Sequence, residues 1–437
     1  MEDCRVPHCV PRAQRAARTH RDFRRMFAGC LAATLWCVTA GTTWAQTAPI
    51  PGIPAQTGVL PYGALDYEHN SNLFYLPSYF PEPVGKNGAS FSDQSLEIRG
   101  GLTAAYDLGA QVFHAIVEVR RFEYDNFDYL DHYENLVDVG WDWKLGSTVS
   151  GELDYRHEKR MVQFQELIDS ESLYLETENI ATASANVLVT PEWLWENLGK
   201  DRVLDSPRPL ALDLNLHEDS ILEGVRYLGV SNLSAGFEIT YLTGRFTHDP
   251  IYLQPDYHQT SFDLAADYAV SRLSSFNGTL GYTRRSDSLG DDLSGVTGSL
   301  GYKRNLTGRT SFTAKISRAV NSYVTTEGSE VDTSAALTVN YQLTYKTSFN
   351  AGYSWMESKF PQYTPVNPFT DAPIPGAPTD EDRVDHIQYA SLEANYLATR
   401  WLSLRAYGRY QTRHSNQEVN TYNVTIYGIE LLAKLPR

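Results

Sequence analysis

From about residue 58 onward apolar and polar side chains alternate with a period of two, most clearly between Ser275 and Asn305. There Phe276, Gly278, Leu280 and Tyr282 are interleaved with Asn277, Thr279, Gly281 and Thr283, and Val296, Gly298, Leu300 and Tyr302 with Thr297, Ser299, Gly301 and Lys303. Successive side chains of a strand point to opposite faces, so this stretch predicts a hairpin with two unlike faces. The apolar face of each run ends in an aromatic, while the polar face carries small neutral and basic groups. A wall with lipid on one side and water on the other has this alternation.

The same pattern predicts strands near 58–68, 94–107, 110–124, 134–145, 147–160, 174–189, 208–217, 220–229, 232–246, 259–270, 274–286, 294–305, 309–321, 331–343, 346–358, 385–398, 401–414 and 421–435. These make about 18 strands, with 16 as the fallback should 174–189 and 220–229 not form. An even number suits an all-β fold, a transmembrane antiparallel β-barrel of the bacterial outer membrane. Short links, such as Leu108-Gly109 and Ala398-Thr399, alternate with long ones, such as 69–93, 161–173 and 359–384. That asymmetry places both termini on the periplasmic side. One link breaks the rule. Residues 190–207 should form a short turn, yet Pro191-Glu192-Trp193-Leu194-Trp195-Glu196-Asn197-Leu198 reads as a small helix, giving a periplasmic insertion in a barrel spanning 58–437.

Aromatics fall at both ends of the predicted strands. Tyr106, Trp143, Tyr268, Tyr302, Tyr341 and Tyr396 lie near the short links, and Tyr155, Tyr282, Trp355 and Tyr410 near the long ones. Amphipathic rings favour the membrane interface, so two girdles are expected.

The first 45 residues change the picture by adding a compartment. Arg12, Arg15, Arg18, Arg21, Arg24 and Arg25 precede an apolar run from Met26 to Ala40 and a small-residue exit at Thr43-Trp44-Ala45. This predicts a secretory signal over 1–45, with translation starting at Met1 or Met26, followed by a periplasmic lead over 46–57 and residence in a Gram-negative outer membrane. All four cysteines lie inside the signal, so no thiolate metal site or disulfide is expected after cleavage, and no cofactor. Loss of seven Arg and three acidic residues leaves 30 basic against 50 acidic groups, a net charge of −20. Nucleic acid is excluded as a partner on that balance, and outer-membrane lipid is the expected surroundings.

With the apolar set facing outward, the inward set follows. Its charged members Glu97, Arg99, His114, Glu118, Arg120, Asp138, Asp142, Glu152, Asp154, Arg156, Arg405 and Arg409 are the candidate lumen-lining residues, densest in the second to fifth strands. Opposite charges on neighbouring strands pair along a barrel wall; alternatively they form a constriction that sorts solutes by charge. Carboxylates such as Glu152 and Asp154 suit glycosidase chemistry, but many such pairs share a face here and no nucleophile motif accompanies the histidines, so the protein reads as a non-enzyme. In the stretch from Phe122 to Tyr133, Phe122, Tyr124, Phe127 and Tyr129 alternate with Asp125, Asp128 and Asp131. Rings stack on sugar faces and carboxylates accept hydroxyl hydrogen bonds, which makes these seven residues a candidate glycan contact; a packed loop closing the barrel mouth is the other reading. Six prolines between Pro361 and Pro378 mark a second unusual loop.

Tyr67-Glu68-His69-Asn70-Ser71-Asn72-Leu73-Phe74, the acidic-aromatic run 122–131 and the Glu223-Gly224-Val225-Arg226-Tyr227 strand resemble the EpsL-like outer-membrane barrels encoded with exosortase-linked exopolysaccharide systems. The resemblance implies a part in exopolysaccharide biosynthesis and export, with polysaccharide and periplasmic polysaccharide-export components as partners, and no catalytic residues. A general or sugar-selective porin is the alternative that composition leaves open.

Overall fold

The computed structural model describes residues 57–164, 172–207, 214–247, 256–287, 292–322, 329–360 and 382–435. The expected signal over 1–45, nearly all of the lead and the proline-rich loop lie outside them. The barrel strands are β1 (Gly58–Asn70), β2 (Asp93–Asp107), β3 (Gln111–Tyr124), β4 (His132–Leu145), β5 (Val149–Met161), β6 (Leu175–Thr190), β7 (Trp193–Ser206), β8 (Leu214–Val230) and β9 (Leu233–Phe246), followed by β10 (Tyr257–Ser271), β11 (Ser274–Asp287), β12 (Asp292–Asn305), β13 (Thr310–Ser322), β14 (Ser329–Gln342), β15 (Thr347–Phe360), β16 (Arg383–Leu397), β17 (Leu402–Ser415) and β18 (Tyr422–Lys434). Each pairs antiparallel with its sequence neighbours, and β1 pairs with β18 from Tyr62↔Lys434 to Asn70↔Ile426, closing an 18-stranded ring. No helix among the described residues is long and apolar enough to cross a membrane; the strands make the wall.

Alternation sets the two faces. On β11 and β12, Phe276↔Tyr302 and Gly278↔Leu300 are paired across the hairpin, and Leu280, Tyr282, Val296 and Leu300 are all exposed on the outside. A soluble sandwich would bury such a face; here it forms the lipid-facing band. The rings expected at the two rims stand on that face: Tyr106, Tyr268, Tyr341 and Tyr396 toward the short turns, and Tyr155, Tyr282 and Tyr410 toward the long loops, all exposed. Phe276 and Tyr302 stack at 4.5 Å, and Phe113 and Trp141 at 5.7 Å, so the short-turn girdle is cross-linked by ring contacts. Gly109 and Gly146 hold φ of +80° and +63° in two of the short turns, a region that a Cβ makes costly.

Two expectations need correction. Residues 193–206, within the segment expected as a helical insertion, form β7, which pairs along its length with β8 and, after a bulge between Leu188 and Thr190, with β6, following a two-residue turn at Pro191-Glu192. Trp193 and Trp195 are exposed on the outer face, whereas Glu196 and Leu204 are buried on the inner one. Of the expected strands at 208–217 and 220–229, residues 208–213 lie outside the described residues and the remainder belongs to one strand, β8; the supposed link at Glu218-Asp219 runs straight through it, with Glu218 buried inside and Asp219 outside.

Candidate functional site

The inner wall is the surface on which chemistry can occur, and its charged groups form a chain of contacts. Glu393 on β16 lies 3.7 Å from Arg405 on β17, which reaches Asp66 on β1 at 3.2 Å and Glu430 on β18 at 3.4 Å. Glu430 meets Arg99 on β2 at 2.5 Å, and Arg99 approaches Glu118 on β3 at 3.8 Å. Arg120 then joins Glu118 at 2.6 Å to Glu134 on β4 at 3.4 Å and Glu158 on β5 at 3.9 Å. Arg160 links Glu158 to Glu176 on β6 at 2.8 Å and Glu178 at 3.9 Å, and Arg202 on β7 meets Glu178 at 2.6 Å. The relay is unbroken from β16 round to β7. Glu118, Arg99 and Glu430 are almost fully removed from water, so each charge depends on its neighbours for the solvation it has lost. Tyr407 donates to the relay, 2.9 Å from both Asp66 and Glu68, and Tyr62 donates to Glu118.

A second, smaller centre follows on β8, where Arg226 lies 3.0 Å from Glu196, 2.7 Å from Glu238 and 2.8 Å from Asp267. Beyond it the wall changes character. Ser261 on β10 meets Thr283 on β11 at 2.9 Å, and Thr283 meets Thr297 on β12 at 3.0 Å. Thr279 and Ser299 pair at 3.1 Å, and Ser317 on β13 and Ser334 on β14 at 2.8 Å. Short hydroxyls tie these strands by hydrogen bonds where the charged arc uses ion pairs.

The mouth is built by the 71–92 connection. Asn72 pins it to β18, its side-chain amide donating to the Asn423 carbonyl at 3.2 Å and to the Leu76 carbonyl at 2.8 Å while its oxygen accepts from the Leu76 N–H. Tyr75, held at φ 55°, packs edge-on against Tyr422 at 5.1 Å, and burial pushes its phenol above its ordinary value, keeping it neutral. On the other side Phe74 meets Phe127 at 4.8 Å and Phe164 at 4.7 Å, in a buried cluster with Leu73 and Leu130. A two-rung hairpin at Val84–Gly85 and Gly88–Ala89 clamps the 125–131 loop, the N–H groups of Lys86 and Asn87 donating to the carbonyl and side-chain oxygens of Asn126.

These contacts sort the sequence candidates. Glu97, Arg99, Glu118, Arg120, Arg156, Arg405 and Arg409 lie in or beside the relay, with Glu97 3.6 Å from Arg99, Arg156 2.8 Å from Glu158 and Arg409 3.8 Å from Glu68. His114, Asp138 and Asp154 gather below it, near Asp142 and Glu152. In the candidate glycan contact Phe127 is fully buried, Phe122 stacks on His132 at 4.8 Å, and Tyr124 stacks on the same imidazole at 6.3 Å. Asp131 accepts the Tyr124 N–H at 2.8 Å, Asp125 accepts from Asn87, and Asp128 pairs with Lys86 at 3.9 Å; Tyr129, exposed, meets Phe127 edge-on at 6.0 Å, and Tyr133 is exposed as well. Glu196 and Arg202 fall in the 190–207 segment expected as an insertion and so are not among the sequence candidates, nor are Asp66, Glu134, Glu176, Glu178 and Glu430. Period-two spacing, as in Tyr62-Ala64-Asp66-Glu68, was their available signal. Two groups of three among the described residues bring a His nitrogen and two carboxylates within 4.8 Å: His114, Asp138 and Asp154 on the inner wall, and Asp201, His217 and Asp219 on the outer.

No protein-family model matches the chain, and no curated protein matches it significantly. Among solved structures it resembles OccK2 (OpdF) of Pseudomonas aeruginosa, crystallised with glucuronate, at 11% identity and a TM-score of 0.47 over 86% of this chain and 98% of that one. It also resembles the siderophore receptor PirA of the same organism, at 11% identity and a TM-score of 0.44 over 89% and 82% of the two chains. The outer membrane protein OpdK, again from Pseudomonas aeruginosa, matches at 10% identity and a TM-score of 0.45 over 86% and 98%. At these values the likeness is one of barrel form.

Proposed function

We propose that this protein is an outer-membrane channel through which small hydrophilic solutes diffuse. The observation that carries the reading is the pairing of a closed 18-stranded ring with an inner wall of charged and hydroxyl groups and an apolar outer wall. A ring of that strand number is wide enough for an aqueous path. The 71–92 connection narrows the mouth on the side of β18 and β3 to β5, and the hydroxyl arc supports the passage opposite. Purified protein in planar bilayers should give stepwise conductance, and liposomes containing it should swell in isosmotic sugar; tight liposomes and silent bilayers would remove the reading.

Exopolysaccharide export, with polysaccharide and periplasmic export components as partners, is the narrower reading that the sequence resemblance supports. It stands second because Phe127 and Leu130, in the stretch that carries the resemblance, pack inside the mouth rather than forming a sugar platform. Deleting the gene decides between the two: loss of surface polymer with synthesis intact favours export, and an unchanged surface with slower solute uptake favours the channel.

A further inference from the structure

Below the relay, in the half of the lumen nearer the short turns, the wall carries carboxylates without a Lys or Arg partner among the described residues. Asp142 on β4 stands directly across from Glu152 on β5, and Asp154 on β5 is two residues further up the same face. Among the described residues none of the three has a Lys or Arg within ion-pair distance; the base beside them is His114, with Nε2 3.6 Å from Asp154. Arg156, next along that face, reaches up to Glu158, and Lys144 lies below at the rim. On β12 and β13 the inward positions hold Lys303 and Lys315. Lys303 is paired in register with Ser275 and Thr313, and Lys315 with Gly301 and Ala336, and neither has a carboxylate partner among the described residues.

Topology sets these two groups against each other. In a ring of 18 strands, β4 and β13 are nine steps apart whichever way the wall is followed, so they stand on opposite walls. All five residues lie in the short-turn halves of their strands. Elsewhere on the charged arc, acids and bases were brought within contact of each other. Here like charges share a wall and the unlike set faces them across water. Fixed charges in a low-dielectric wall focus the potential into the passage between them.

We propose that this half of the lumen is a selectivity region with a transverse field, and that it favours small zwitterions, molecules bearing an ammonium and a carboxylate. The inference rests on the channel reading above. A zwitterion turned with its ammonium toward Asp142, Glu152 and Asp154 and its carboxylate toward Lys303 and Lys315 is stabilised at both ends. A neutral polyol of the same size is stabilised at neither, and a simple anion meets three carboxylates against two lysines.

The test is a swelling assay with liposomes containing the full mature chain, comparing serine with glycerol, solutes of similar size. Serine should enter faster than glycerol, on the order of a few-fold once corrected for diffusion in water. Combining Lys303→Gln and Lys315→Gln with Asp142→Asn and Glu152→Gln should bring the ratio to one. Should those four changes prevent folding, judged by heat-modifiable gel mobility, Lys303→Glu with Lys315→Glu serves instead: the serine advantage should vanish and the reversal potential in a KCl gradient should move toward that of potassium. Equal entry of serine and glycerol into wild-type liposomes, or a ratio unmoved by the substitutions, overturns the proposal while leaving the channel standing. Entry of neither solute overturns both.

Discussion

From β16 round to β7 the inner wall is tied by long side chains whose charges meet at 2.5–3.9 Å, whereas from β10 to β14 it is tied by hydroxyls meeting at 2.8–3.1 Å. The first arc gives up solvation at every Arg and Glu and recovers it only where the partners stay in place, so it is stiff and intolerant of single losses. The hydroxyl pairs of the second give up little and hold little. The mouth follows the stiff arc: Asn72 and Tyr75 dock on β18, and Phe74 on the loops after β3 and β5. A connection that narrows a pore needs an immobile footing, and the relay supplies it.

This contrast can be broken most strongly at Arg99. Arg99→Met takes from Glu430 its nearer partner, leaving it to Arg405 at 3.4 Å, and leaves Glu118 to Arg120 and Tyr62; it should cost about 3 kcal/mol, read as a lower urea midpoint for loss of folded gel mobility. A cost as small as that of a hydroxyl change would erase the distinction between the arcs. Adding Glu430→Leu should return part of the loss. Phe74→Ala comes next, removing the ring between Phe127 and Phe164 at a local cost of roughly 3 kcal/mol. It should leave the barrel midpoint nearly unchanged, quicken proteolysis within 71–92 and raise single-channel conductance; unchanged conductance would show that the connection does not narrow the path. Smallest is Thr283→Val, which removes the hydroxyl shared by Ser261 and Thr297 and should cost about 1 kcal/mol with conductance intact.

The period-two alternation carried the barrel and the direction of nearly every strand, because one face in lipid and one in water is a constraint on every second residue. The number 18 nonetheless came from two compensating errors. Trp193, Leu194 and Leu198 are spaced as on a helix face, which hid β7; His217-Glu218-Asp219, three polar residues in a row, resembled a link and divided β8. Around the division of β8 the outer face is polar: Asp201 and Asp219 stand there beside His217 at 2.6 and 3.7 Å, so the usual apolar partner of the alternation is missing. Inward direction could be read for Arg99, Glu118 and Arg405, but their partnership with Glu430 and Asp66 could not, since it depends on which strands meet when the ring closes. The 122–133 stretch shows the same limit. Its composition suits sugar or packing equally, and only the position of Phe74 and Phe164 beside Phe127 decides where that ring goes.

The join between β1 and β18 bears on how the molecule comes into being. Every other pair of neighbouring strands is consecutive in the chain, most of them joined by a few residues, but Tyr407 and Asp66 meet across 341 positions. Bringing such distant segments together carries the largest loop-closure entropy in the structure and its reward arrives last, so zipping of consecutive hairpins is expected to run ahead of closure. Until then the sheet has two open edges, each able to pair with a stranger. The Arg405, Tyr407, Asp66 and Glu430 contacts therefore act as a latch on a nearly finished wall. Kinetically, a variant weakened there should accumulate as an inserted but unclosed sheet rather than as an unfolded chain.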